Sequence, residues 1–156
     1  MPKDKLVSLI DVKKSFGNNH VLNGLTIEIP NHKISFIIGR SGEGKSVTLK
    51  HIIGILHPDS GEIWIDGSKM NHATEKQWDE ARKKIGILFQ DGALFDSLTI
   101  FENVAFPMQN HLKLTLKELE IEVEKLLDVV GLSGIQNKYP PEISIGERKR
   151  VGLARA

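Results

Sequence analysis

The stretch Gly39-Arg40-Ser41-Gly42-Glu43-Gly44-Lys45-Ser46 matches the pattern G-x-x-x-x-G-K-[ST] at every specified position. The isoleucine-rich run Lys33–Ile38 precedes it, and Gly44–Ile53 follows with a helical pattern that Gly54 closes. This order of strand, loop and helix is the context that the motif requires. We therefore predict a buried strand over 33–38, an anion-binding loop over 39–46 and a helix over 44–53.

The chemistry of an anion-binding loop explains these residue types. Glycines adopt positive φ and put no Cβ between the backbone and an anion. Successive N–H groups and the helix N-terminus can then surround phosphates. We expect Lys45 to place its ammonium on the β- and γ-phosphates of ATP, and the Ser46 hydroxyl to bind Mg²⁺. The alternative, a glycine-rich turn without a ligand, is less frequent for a complete match in this context.

The other strands are predicted from apolar and polar residues that alternate along the chain. They cover Leu6–Val12, Val21–Ile29 and Glu62–Ile65. Asn23-Gly24 interrupts the second strand, and Asp66-Gly67 ends the third in a tight turn. We expect Ile85–Phe89 to be a further strand, and a buried one.

Three predicted helix starts have the spacing of a capping box, in which two side chains bind backbone N–H groups reciprocally. The pairs are Thr74 with Gln77, Thr115 with Glu118 and Ser144 with Glu147. The helix after Thr115 has an apolar stripe that Gly131 ends; the stripe consists of Leu116, Leu119, Val123, Leu126 and Val130. Strands and helices in this order predict an α/β fold.

Composition excludes several classes of function. The 156 residues are 40% hydrophobic, and the net charge of +1 provides no strong field toward nucleic acid or an anionic membrane. The absence of cysteine excludes disulfides and thiol chemistry. The six histidines lack metal-ligand spacing, so we expect them at the surface. The basic run Arg148-Lys149-Arg150, with Arg155, is expected to form a solvated helix face rather than a nucleic-acid contact.

Several segments around the loop resemble ABC-type ATPases in the family's own order and over the whole chain. They are Phe16-Gly17, Val21–Leu25, Asp59–Ile63, Asp66-Gly67, Ile87–Gln90 and Ile143–Ala156. Within the family, Phe89–Thr99 and Glu102–Pro107 look most like the ATPase of Mla-type transporters, which move phospholipid and work with Mce-domain partners. The resemblance implies an ATP-binding subunit that couples ATP binding and hydrolysis to transport, with phospholipid across the bacterial envelope as cargo.

The resemblance also implies the architecture. The family is an α/β P-loop NTPase with an antiparallel β subdomain, a RecA-like core and a helical subdomain. Residues 1–156 would be the N-terminal part of this domain, with the β and phosphate-loop core at about 1–90 and the helical subdomain at about 91–150. The chain stops at Ala156, before positions that match the family's Walker B Asp, catalytic Glu and switch His. We therefore expect a C-terminally truncated chain with an incomplete core sheet, prone to instability, that binds ATP without hydrolysing it.

The resemblance assigns nucleotide contacts beyond the loop. Phe16 would stack on adenine, with a half-buried core Phe as the alternative. Gln90 would reach Mg²⁺ with Ser46, with a polar strand end as the alternative. No catalytic residue is assigned. The full set of expected ATP and Mg²⁺ contacts is Phe16, Gly39, Arg40, Ser41, Gly42, Glu43, Gly44, Lys45, Ser46, Val47, Gln90, Ser144 and Gly146.

The segment Ser144–Glu147 would contact ATP held by a second ATPase subunit. With the preceding Ile143 it corresponds to the family's usual Leu-Ser-Gly-Gly-Gln, from which Ile145 and Glu147 are the departures that matter for ATP. Ile145 adds a β-branched side chain where the family has glycine, and Glu147 brings a charge that is unfavourable near phosphate unless it turns to its own helix start. Weak sandwiching of ATP is therefore one expectation that stays open.

The apolar stretch within Gln90–Phe106 would form a groove for a helix of the membrane permease subunit, although ordinary core packing explains part of it. The implied location is cytoplasmic, peripheral on the inner face of the cell membrane, without a nucleic-acid partner. Three alternatives remain open at this point: an inactive nucleotide-binding remnant, the ATPase of another ABC importer, and a soluble ABC-type protein.

Overall fold

The computed structural model describes residues 5–90 and 92–156, and only the backbone of Asn110 and His111. The chain divides into two compact units, Met1–Lys84 and Ile85–Ala156. Asp91, which the predicted permease-docking and helical segments include, lies outside the described residues.

An antiparallel sheet forms most of the first unit. Its strands are β1 (Lys5–Phe16), β2 (Asn19–Pro30), β3 (Ser60–Ile65) and β4 (Ser68–Lys69), in the order β2-β1-β3-β4. The predicted strands over 6–12, 21–29 and 62–65 are therefore confirmed, and all three are longer than predicted. Asp66 and Gly67 both have positive φ, 48° and 76°, as the tight turn between paired strands requires.

Two helices, α1 (Lys45–Ile52) and α2 (Glu75–Arg82), complete the first unit. Their buried faces join the inner face of the sheet in one apolar core, formed by Val7, Leu9, Val12, Leu22, Ile52, Ile63, Ile65, Met70 and Trp78. The prediction that all histidines lie at the surface is wrong for His51, which is fully buried on α1 and forms a 2.7 Å Nδ1–O hydrogen bond with the Val47 carbonyl.

Two of the predicted strands, over 33–38 and 85–89, are absent from this structure. Residues 33–38 and 85–89 have no regular secondary structure. Phe36 and Ile38 are 82% and 91% exposed, which contradicts the predicted buried strand. The reason is that a strand exists only through hydrogen bonds to a neighbour, and in the described parts of the chain the sheet consists of β1 to β4 alone.

The second unit is helical. It contains α3 (Ile100–His111), α4 (Leu116–Val129), a single 3₁₀ turn at Pro140–Glu142 and α5 (Ile145–Arg155). The fully buried core of this unit lies between the three α-helices and includes Ile100, Val104, Val123, Leu127 and Val151. In the ranges 5–90 and 92–156, no helix is long and apolar enough to cross a membrane.

All three predicted capping boxes are present, at Thr74, Thr115 and Ser144. Thr99 and Glu102 form a further one at the start of α3, which the sequence analysis did not identify. The predicted stripe of α4 is correct at Leu119 and Val123, but Leu116 is exposed. Leu116 is the first residue of the helix, and it is 67% exposed.

The basic run near the end of the chain is only partly a solvated face. Arg150 Nη1 donates to the carbonyl oxygens of Val130 and Gly131, at 3.1 and 3.3 Å, and so binds acceptors that follow α4. Arg155 likewise donates to backbone carbonyls. Lys149 is exposed, as predicted.

Candidate functional site

Two glycines shape the candidate anion-binding loop of the first unit. Gly42 and Gly44 have φ of 85° and 84°, in the left-handed region that side chains disfavour. A Cβ at Gly44 would lie 2.7 Å from Leu22 Cδ2 and 3.1 Å from the Val21 carbonyl oxygen. Position 44 therefore requires glycine for two reasons, its backbone conformation and its close approach to β2. The left-handed backbone that the motif predicts is therefore present at Gly42 and Gly44, and phosphate binding by the loop stays a prediction.

Lys45 reaches back across the loop. Its Nζ donates to the carbonyl oxygens of Gly39, at 2.7 Å, and Arg40, at 2.5 Å. These two bonds connect the ammonium of Lys45, near the end of the motif, to the first two residues of the motif. Charge-assisted bonds of this kind are stronger than those between neutral groups.

The N-terminus of α1 has no side-chain cap. The other α-helices in the described ranges, α2 to α5, each begin with a capping box. Uncapped N–H groups need an acceptor and attract anions. Ser46 lies exposed in this first turn, and Thr48, buried one turn later, donates its hydroxyl to the Gly44 carbonyl at 3.0 Å.

Glu43 adds a negative side chain to the same loop. Its Oε2 accepts a 2.7 Å hydrogen bond from the Arg40 N–H. A Cβ at Gly39 would lie 2.8 Å from this oxygen. The absence of a side chain at position 39 therefore leaves room for the Glu43 carboxylate.

Phe16 ends β1, and its side chain is 47% exposed. The Lys14 Nζ lies 5.7 Å from its ring centroid and also 2.7 Å from Asp59 Oδ1. The hydrogen bond from Lys14, followed by that from the Ser15 N–H, lowers the pKa of Asp59. Phe16 is therefore a surface ring beside a cation, not a core residue, and its contact with adenine stays a prediction.

Gln90 lies exposed in a turn of the second unit. The Gly92 N–H closes this turn by donating to the Phe89 carbonyl at 3.0 Å. A Cβ at Gly92 would lie 2.8 Å from the Arg148 carbonyl oxygen, so the backbone passes close to α5. The predicted role of Gln90 toward Mg²⁺ stays a prediction.

Ser144 and Glu147 bind each other at the start of α5. Glu147 Oε2 accepts from the Ser144 N–H at 2.8 Å and from its hydroxyl at 2.7 Å, and the Glu147 N–H donates to Ser144 Oγ at 3.3 Å. The hydrogen bond from the Ser144 side chain is the main reason that the pKa of Glu147 is lowered. The carboxylate therefore turns to its own helix start. Ile145 is 63% exposed, and a Cβ at Gly146 would meet no atom within 4 Å.

The apolar segment after Gln90 is partly exposed and partly core. Phe95 and Phe106 lie with ring centroids 5.2 Å apart and are both about half-exposed. With Ile87, Phe89 and Pro107 they line a cavity of about 360 Å³. Core packing accounts for Ile100 and Val104, which are fully buried.

Asn103 is a residue of this segment that the sequence analysis did not identify. It is fully buried. Its Nδ2 donates to the carbonyls of Phe95, Leu98 and Thr99 at 3.0, 3.1 and 2.9 Å, and its Oδ1 accepts from the Phe95 N–H at 2.8 Å. The signal that could have revealed it is a polar residue beside the buried Val104 on an otherwise apolar helix face.

The predicted site residues thus fall in both units. Residues 39–47 come together as one loop in the first unit, which also contains Phe16, whereas Gln90, Ser144 and Gly146 belong to the second. In the described ranges, no group of three or more His, Cys, Asp or Glu side chains could hold a metal ion. The glycine backbone, the Lys45 ammonium and the uncapped α1 fit a polyphosphate, and the Ser46 hydroxyl fits a metal held jointly with it.

Comparison with known proteins agrees with this geometry. A family model described as ABC transporter matches residues 22–156. A probable ribonucleotide transport ATP-binding protein, mkl, of Mycobacterium leprae is 44% identical over 156 residues, which are 100% of this chain and 45% of that protein. The intermembrane phospholipid transport system ATP-binding protein MlaF of Escherichia coli K12 is 38% identical over 151 residues. These residues are 97% of this chain and 56% of that protein. The chain spans about half the length of these curated relatives.

A solved structure shows the same fold. The dimeric structure of a post-hydrolysis state of the ATP-binding cassette MJ0796, bound to ADP and Pi, has a TM-score of 0.86 and 30% sequence identity. The match covers 96% of this chain and 68% of that one. The predicted α/β fold class is thereby confirmed.

Proposed function

This chain belongs to the ABC transporter family, and on that premise we propose that it is the ATP-binding part of a transporter and binds Mg·ATP at residues 39–47. The observation that carries this proposal is the Lys45 ammonium, held 2.7 Å from the Gly39 carbonyl inside a loop of left-handed glycines. A site with this cation and the uncapped α1 provides several donors for the terminal phosphates.

Each residue of the proposed site has a separate task. Lys45 binds the β- and γ-phosphates, and the backbone N–H groups of 42–46 surround them. Ser46 and Gln90 hold Mg²⁺, which offsets phosphate charge when bound. The half-exposed Phe16 ring stacks on adenine, a contact that is worth about 1–3 kcal/mol for aromatic side chains and bases.

A second copy of the subunit is part of the proposal. The ATP-binding cassette with the similar fold is described as dimeric. In this chain, Ser144–Glu147 presents a capped helix start whose carboxylate is bound by Ser144. This arrangement supports contact with a nucleotide held by the partner, since the Glu147 charge faces its own backbone rather than an incoming phosphate. Ile145 stays exposed at the same end and limits how closely the backbone approaches.

We also propose that Gln90–Phe106 docks a membrane permease subunit, which places the protein on the cytoplasmic face of the cell membrane. The half-exposed Phe95 and Phe106 and the adjoining apolar cavity support this docking. Phospholipid is the proposed cargo, supported by the likeness of residues 89–107 to Mla-type ATPases and by the relative named for phospholipid transport. A ribonucleotide is the competing cargo, because another relative is named for it.

Nucleotide binding is tested with Lys45→Ala in the full-length gene product. Calorimetry with Mg·ATP is expected to show affinity about 10- to 100-fold weaker, because a charge-assisted bond is worth about 1.5–3 kcal/mol. Lys50→Ala removes an exposed lysine from the same helix and serves as the matched control. Equal affinity in the Lys45→Ala and unaltered proteins would contradict the proposal.

The cargo is tested with the complete transporter in lipid vesicles. ATP-dependent movement of labelled phospholipid, lost in the Lys45→Ala complex, is expected. ATP-dependent uptake of a labelled ribonucleotide without lipid movement would replace phospholipid by the competing cargo and leave the ATP-binding proposal intact.

A further inference from the structure

Glu43 is an acidic residue inside a loop that is proposed to bind polyphosphate. It lies between Gly42 and Gly44, whose backbones are left-handed. Its carboxylate accepts the Arg40 N–H at 2.7 Å, which turns it back over the start of the loop. The negative charge is therefore held at the loop by a hydrogen bond, rather than extended into solvent.

Within the described ranges, Glu43 forms no ion pair with a neighbouring cation. Lys45, the nearest cation in sequence on its C-terminal side, directs its ammonium to the carbonyl oxygens of Gly39 and Arg40 instead. A polyphosphate that binds the loop consequently meets the repulsive Glu43 carboxylate as well as the attractive Lys45 ammonium.

We propose that Glu43 makes the loop selective for metal-bound over metal-free nucleotide. This inference rests on the proposed function. Coulomb repulsion scales with the charge of the ligand, and Mg²⁺ offsets about two of the roughly four negative charges of ATP. Glu43 therefore penalises metal-free ATP about twice as strongly, in free energy, as Mg·ATP. The residue sets which form of the nucleotide enters, while Lys45 supplies the attraction.

The experiment compares the dissociation constants of Mg·ATP and of ATP with EDTA for the full-length protein and for Glu43→Gln. Glutamine keeps an oxygen that can accept the Arg40 N–H and removes only the charge. At low salt we expect Glu43→Gln to bind Mg·ATP about 3-fold more tightly and metal-free ATP about 10-fold more tightly, the square of the first factor. Both gains are expected to shrink in about 1 M salt, where charges are screened beyond a few Å.

Two further variants complete the design. Glu120→Gln removes an exposed carboxylate from α4 and is expected to leave both constants unchanged. Glu43→Ala also removes the hydrogen bond to the Arg40 N–H, and the looser loop should weaken the binding of both ligands by the same factor. The decisive quantity is therefore the dissociation constant of metal-free ATP divided by that of Mg·ATP. This ratio should still fall in Glu43→Ala.

The outcomes separate the two proposals. In one outcome the unaltered protein binds Mg·ATP and Lys45→Ala weakens that binding, but Glu43→Gln leaves the ratio of the two dissociation constants unchanged. The selectivity role of Glu43 is then wrong, and the proposed function stands. If the unaltered protein does not bind Mg·ATP, both proposals fall.

Discussion

Arg155 Nη2 lies 2.8 Å from the carbonyl oxygen of Gly92. Its Nη1 donates to the next carbonyl, that of Ala93, at 2.6 Å. A Cβ at Gly152 would lie only 2.9 Å from the Gly92 Cα, so α5 and residues 92–93 approach closely. The helix that begins at Ser144 therefore holds the segment that follows Gln90, and two predicted parts of the nucleotide site share one support within the second unit.

Arg155→Ala is expected to destabilise this support. Partial burial lowers the pKa of Arg155 from its ordinary value, but the guanidinium remains charged. Its removal would take a hydrogen-bond donor from each of the two carbonyl oxygens that it binds. We expect the thermal midpoint of the full-length protein to fall by about 3–8 °C, from a loss of about 1–3 kcal/mol. Lys149→Ala, on the same helix but exposed, should change the midpoint by less than about 2 °C. Equal shifts in the two variants would show that the Arg155 contacts contribute little.

Asn103→Leu is expected to loosen the 95–99 turn. The side chain is fully buried and satisfies four backbone groups, so its removal leaves several without partners. The expected loss of unfolding free energy is about 3 kcal/mol, measured by urea denaturation. Faster proteolysis near Phe95 should accompany it. The exposed Asn137→Ala is the control, and an unchanged urea midpoint in Asn103→Leu would contradict the assigned role.

Gly54→Ala tests the contact between α1 and Trp78. Gly54 has φ of 72°, and a Cβ there would lie 2.3 Å from Trp78 Cε3. The variant combines backbone strain with displacement of a buried ring, and we expect it to cost about 3 kcal/mol. Gly67→Ala has a similar φ, 76°, but no atom within 4 Å of the added Cβ, so it should cost about 1 kcal/mol from strain alone. If both variants have the same urea midpoint, the Trp78 contact is not limiting.

The cap at Ser144 should make stability depend on pH. The pKa of Glu147 is lowered from its ordinary value of 4.5 by the Ser144 hydroxyl and then by its N–H. A lowered folded-state pKa contributes stability above 4.5 that is lost as the pH falls through the lowered value. We therefore expect Glu147→Gln to reduce the urea midpoint at pH 7, and the difference from the unaltered protein to vanish as the pH falls below 4.5. A higher urea midpoint for Glu147→Gln than for the unaltered protein at pH 7 would mean that the carboxylate destabilises the folded state.

Local chemistry made parts of this structure predictable from the sequence. The capping boxes at Thr74, Thr115 and Ser144 need only residues three positions apart, and each is present. The loop glycines were predictable for the same reason, because left-handed backbone at 42 and 44 is a property of glycine itself. The turn at Asp66-Gly67 belongs to the same group.

Elements that depend on distant partners were less predictable. Residues 33–38 and 85–89 have strand-like composition, but no strand in the described ranges pairs with them. His51 was expected at the surface, yet it lies on the buried face of α1, whereas the apolar Leu49 lies on the exposed face. The hydrogen bonds of Asn103 could not be deduced either, because their partners lie in a loop of irregular conformation.

The sequence by itself determined the family, the phosphate-type loop over 39–46 and the helix starts, because these rest on residue identity and on contacts within one turn of the chain. Only the tertiary structure decided where the Glu43 carboxylate turns, that Arg155 binds residues 92–93, and which apolar runs become strands. These outcomes depend on which backbone groups come within hydrogen-bonding distance after folding, and spacing along the chain does not specify that distance.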